Sequence, residues 1–135
     1  MNFKSVSKII LSAGVAALMF ATPVSADSIS PAVKSDLQGA MMDYIDYNSV
    51  DGKFVYLDAM KNKVTNFYPA NLHPRILKIG QYFVLCSDFK TEGSKNVDVD
   101  FLAVKVDNEM RVLQALVGQR DVIRSMMKAQ MAKQD

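Results

Sequence analysis

At 135 residues the chain is long enough for one domain, and its formal net charge of +2 is far from the basic excess that nucleic-acid binding requires. Its one cysteine, Cys86, excludes an intramolecular disulfide. Half of the residues are hydrophobic while glycine and proline are sparse, a composition that suits a folded globular domain and excludes a low-complexity chain.

The first predicted element is a cleavable secretory signal over residues 1–26. Lys4 and Lys8 form a short positive region, Ile9 to Phe20 an uncharged apolar run, and Val24-Ser25-Ala26 a small-residue cleavage site behind the helix-breaking Pro23. The apolar run is shorter than the ~20 residues that a spanning helix takes. No cysteine follows it, which excludes a bacterial lipoprotein. Cleavage after Ala26 predicts a periplasmic or secreted bacterial protein with one small domain over residues 27–135. Lys4 and Lys8 leave with the signal, so the mature chain holds 14 basic residues against 14 acidic ones. A neutral domain is expected to bind neither nucleic acid nor, once the signal is removed, an anionic membrane.

Ser30-Pro31 starts the first mature element as N-cap and first helical residue. Val33, Leu37, Ala40/Met41 and Tyr44 recur at three- and four-residue spacing, which predicts a helix from Pro31 to Tyr47. Asn48-Ser49-Val50-Asp51-Gly52 carries turn chemistry and ends it. Two short strands follow, Phe54 to Leu57 and Val64 to Phe67, joined by a polar hairpin loop. Tyr68 to Arg75 holds two prolines and reads as an irregular connection. The strongest pair comes next, Gln81 to Phe89 with Val97 to Val106, and then a strand over Met110 to Val117. Asp121 is placed to cap a last helix with Ile123, Met126, Met127 and Gln130/Met131 along one face. The fold class is therefore α+β: an N-terminal helix packed on an antiparallel sheet of about five strands, with a short C-terminal helix.

Alternation assigns the faces of the strong hairpin. If Asp88 lies opposite Asp98, then Cys86 faces Asp100, Val84 faces Leu102 and Tyr82 faces Val104. The reverse side carries Phe83, Leu85, Phe89, Val97, Val99, Phe101 and Ala103 around Ser87, and is expected to pack on the first helix. The Tyr82/Val84 side is apolar at one end and acidic at the other. Its apolar end needs a cover, which predicts either the methionine-rich last helix or a protein partner, including a second copy of the chain.

A helix followed by an antiparallel meander resembles the cystatin/NTF2-like α+β roll, in which a curved sheet wraps an N-terminal helix. Cys86-Ser87-Asp88-Phe89 with Asp98-Val99-Asp100-Phe101 is also similar to small exported bacterial domains of no assigned activity. The likeness implies a fold and no single function, since such rolls serve as enzymes, inhibitors and binding modules. The inhibitory Gln-x-Val-x-Gly segment of cystatins is approached by Gln114-Ala115-Leu116-Val117-Gly118, but here that segment reads as the end of the last strand. NTF2-like rolls also imply a small-ligand pocket or an enzyme with an inward acid, whereas the hairpin puts its acids outside.

Candidate chemistry gathers at one end of the hairpin. Cys86, Asp88, Asp98 and Asp100 project from one face in two adjacent rungs, a donor set that suits a divalent cation, calcium first and zinc second with His73 added. Opposed carboxylates repel by up to ~1 kcal/mol per pair and need a compensating charge or full solvation. Lys90 and Lys95 in the connecting loop offer that charge without a metal. Cys86 and His73 are each unique in the mature chain, but a mid-strand cysteine reads as a small buried hydrophobe rather than a nucleophile, so no catalytic residue is assigned. Met110 with Met126, Met127 and Met131 reads as a core-facing stripe in preference to a Cu(I) site. The function expected is a non-catalytic binding or accessory module.

Overall fold

The computed structural model describes residues 29–131, and the export segment read over residues 1–26 lies outside the described residues. The first described element is α1 (Pro31–Tyr47), with the bounds that its periodicity predicts. The Ser30 hydroxyl accepts the Val33 amide at 3.3 Å, and Pro31 occupies the first turn, where a missing N–H costs nothing. At the other end the Asn48 side-chain amide donates to the Tyr44 carbonyl at 2.8 Å and the Ser49 hydroxyl to the Ile45 carbonyl at 2.7 Å. The second satisfies a carbonyl that the helix leaves unpaired, while the first adds to the Asn48 backbone amide that already donates to the Tyr44 carbonyl at 3.1 Å.

Six strands follow in one antiparallel meander: β1 (Ser49–Val50), β2 (Lys53–Asp58), β3 (Lys63–Ile79), β4 (Tyr82–Lys90), β5 (Asn96–Val106) and β6 (Glu109–Val117). The added strand is β1, two residues folded back on β2 by the Asp51-Gly52 turn, where both residues have positive φ. Asp107-Asn108 makes the same kind of turn between β5 and β6. The chain then forms α2 (Arg120–Met131).

The irregular connection expected over Tyr68–Arg75 is instead the middle of β3, a 17-residue strand. The prolines are tolerated because β2 pairs only with the first part of β3, up to Phe67. Beyond that point β3 is an edge on one side, where a missing N–H breaks no ladder bond. Two register shifts against β4, at Pro69/Asn71 and Leu72/Ile76, absorb the misfit.

The strong hairpin has the register that alternation predicts: Tyr82 opposite Val104, Val84 opposite Leu102, Cys86 opposite Asp100 and Asp88 opposite Asp98. Its inner face meets α1. Leu37, Met41 and Ile45, four residues apart, pack on Leu85, Phe89, Val99, Phe101 and Ala103. Phe54, Phe89 and Phe101 form a triangle with ring centroids 5.5–6.1 Å apart, edge-on or tilted. Ser87, buried in this apolar wall, donates its hydroxyl to the Val99 carbonyl on the neighbouring strand. An irregularity in β6 between the partners of Leu102 and Ala103 leaves Leu113 exposed, so that Val112 and Ala115 both face the core.

Candidate functional site

The outer face of the sheet is covered in part by α2. Gly118, at φ 63°, turns the chain there, and its amide donates to the Asp98 carbonyl. A glycine suits this turn because it takes positive φ without the penalty of a Cβ. The helix begins at Arg120, and the Val122 and Ile123 amides return to the Gln119 carbonyl. The cap expected at Asp121 is therefore not formed. Asp121 lies in the first turn, with its carboxylate on Arg124 at 3.0 Å.

Arg120 is the group that sequence reading misses. Its guanidinium donates to both oxygens of Asp100, from Nη2 to Oδ1 at 2.8 Å and from Nε to Oδ2 at 3.3 Å. It also donates to Asp98 Oδ1 at 2.8 Å and to the Ser87 carbonyl at 3.2 Å, and stands 3.9 Å from Asp88. Asp88 is held from the other side by His73 Nε2 at 2.8 Å. The predicted end of the hairpin thus does bring Asp88, Asp98 and Asp100 together. The compensating charge is Arg120, in place of Lys90 or Lys95, and Lys90 turns to Asn96 Oδ1 at 3.0 Å. Among the described residues no group of three or more His, Cys, Asp and Glu side chains could hold a metal ion. The hydrogen bonding that the Asp100 carboxylate accepts, together with its charge, holds the Arg120 guanidinium above its ordinary pKa.

Cys86 lies buried beside Asp100. Burial and then the Asp100 charge push its thiol up to about 11, so it stays protonated and unreactive at neutral pH. His73 sits on β3, not in a loop, and its ring is engaged by Asp88. Among the described residues the buried polar side chains are Ser87 and Asp100, so the sheet interior around α1 carries no buried carboxylate.

At the apolar end α2 and the sheet enclose a groove of about 330 Å³. Tyr82, Val84, Leu102 and Leu116 form its floor, and Val122 and Met126 its helical wall. Gln114, Gln119 and Tyr82 are the lining residues with polar side-chain groups, and no charged residue lines it. Ile123 is the helix residue driven into the sheet, whereas Met126 stays half open on the groove rim. Met110 packs instead against the inner core, so the methionines do not form one stripe.

Comparison of the chain with protein-family models, with curated proteins and with solved structures gives no match.

Proposed function

We propose that the chain is an exported, periplasmic or secreted, non-catalytic binding module that takes an apolar ligand, or an apolar segment of a partner, in the groove beneath α2. The observation that carries this reading is the groove itself. Its volume of about 330 Å³ falls at the lower end of the ~300–1,000 Å³ usual for ligand sites. Its lining is mostly apolar, and Gln114, Gln119 and Tyr82 are the residues that would orient a guest. Arg120 ties the start of α2 to the sheet through Asp98 and Asp100, which fixes the helical wall of the groove at that end. A small roll of the cystatin/NTF2-like kind is consistent with this use, and the export signal read over residues 1–26 would deliver it to the envelope or beyond.

The test uses the absence of tryptophan from the chain. Met126→Trp places a single reporter on the groove rim, and N-phenyl-1-naphthylamine serves as an apolar probe. Saturable quenching at one site per chain is expected. Leu116→Gln should weaken it about tenfold, as the loss of roughly 1.5 kcal/mol of apolar contact implies. Uptake that does not saturate, or that Leu116→Gln leaves unchanged, refutes the reading.

A further inference from the structure

On the opposite flank of α2, away from the apolar groove, a second cleft of about 260 Å³ opens between the helix and β3. His73, Arg75, Cys86, Arg120, Arg124 and Met127 line it. Its origin is the larger irregularity of β3. Leu72 pairs with Ser87 and Ile76 with Leu85, so three residues, His73-Pro74-Arg75, stand opposite Cys86 alone. An enlarged bulge of this kind re-aims side chains, and Pro74 at its centre cannot donate to the ladder and close it again. Both His73 and Arg75 reach the cleft as a result.

The basic groups differ in how far they are already committed. Arg120 is spent on Asp98 and Asp100, and His73 on Asp88. Arg124 holds Asp121 at 3.0 Å, but both side chains are well exposed, so water competes for that pair and it exchanges readily. Arg75 makes no ion pair among the described residues. No carboxylate lines the cleft, while Leu77, Ile123 and Met127 give it an apolar side. Two guanidiniums are therefore free to turn on a guest, and their planar forks match two-oxygen acceptors.

We propose that this cleft binds a small anionic group, a carboxylate or a phosphate, between Arg75 and Arg124. The bulge supplies one arm and the helix the other, so the site depends on α2 being docked. Its two arginines are not among the groove residues, although Ile123 lines both clefts, and the site does not need the groove to be occupied.

The experiment follows the arginine Nε–Hε resonances of the purified protein by NMR. Inorganic phosphate and acetate are titrated separately at ionic strength held constant with sodium chloride. Saturable shifts at Arg75 and Arg124 are expected with at least one anion, and the arm that responds tells phosphate from carboxylate chemistry. Arg75→Gln and Arg124→Gln should each weaken binding at least tenfold, while Leu116→Gln in the groove leaves it unchanged. Arg75 is exposed on the surface, so an unchanged thermal midpoint will show that Arg75→Gln still folds. Shifts that stay linear with both anions, or that Arg75→Gln retains at full affinity, overturn the proposal.

Discussion

Arg120→Met removes the one guanidinium shared by the carboxylates of the hairpin end, and the structure sets the size of the loss. The Asp98 pair contributes little, because Asp98 keeps 43% of its side-chain surface exposed and exposed pairs are worth ~0.2–1 kcal/mol. Asp100 decides the outcome. It is 0% exposed and takes two of the guanidinium's hydrogen bonds. Leaving such a carboxylate buried without its partner costs ~3–5 kcal/mol. The guanidinium itself keeps 20% exposure, through which water can reach the cluster, so the lower end, about 3 kcal/mol, is expected. In a domain of this size that lowers the thermal midpoint by roughly 10–15 °C. Urea unfolding followed by circular dichroism measures it. The double variant Arg120→Met/Asp100→Val replaces the pair with apolar atoms and should regain at least half of the loss. A single-variant loss below about 1 kcal/mol, or a double variant no more stable than the single one, refutes the reasoning.

Two further outcomes follow from the same corner of the molecule. With its thiol at about 11, Cys86 is ~0.03% thiolate at pH 7.5 against ~10% for an ordinary cysteine, so iodoacetamide should alkylate the native protein at least ~300-fold more slowly than the urea-unfolded one; a native rate within tenfold of the unfolded rate contradicts the burial argument. A cation held at 100 times its dissociation constant would add ~2.7 kcal/mol of stability. With Arg120 seated among Asp88, Asp98 and Asp100, neither calcium nor zinc should raise the midpoint of the wild-type protein, and a rise of several degrees would show that the arginine gives way to a metal.

The hairpin was legible because alternation leaves it little freedom. Phe89, Phe101 and Val99 must face α1, and a slip of one residue would bury Asp88 and Asp98 in their place. The helix α1 was legible for a similar reason, with Ser30-Pro31 fixing its start and Leu37, Met41 and Ile45 its buried stripe. The course of β3 was not. Pro69 and Pro74 argue against a strand in any local reading, and only the tertiary fact that β2 stops short of them makes an edge strand of that segment. Arg120 was hidden by distance, since it reaches back 20 and 22 residues to its partners. One signal did point to it: opposed aspartates call for a cation, and Arg120 is the basic residue at the threshold of the last helix. Asp121, with the chemistry of a cap, stands one residue beyond it.

The order of the strands bears on what happens if the chain is cut. Every strand pairs with its neighbour in sequence, so the sheet and the α1 core are complete by Val117. α2 comes afterwards and is joined through the short Gly118-Gln119 link, which the Gly118 amide ties to the sheet at the Asp98 carbonyl. Nicking there would spare the core but uncover Asp100, Val84 and Leu102 together. The surviving fragment would keep its fold while losing both clefts and presenting an apolar face open to self-association. Loss of everything after that link would thus leave a folded sheet whose outer apolar face has no cover.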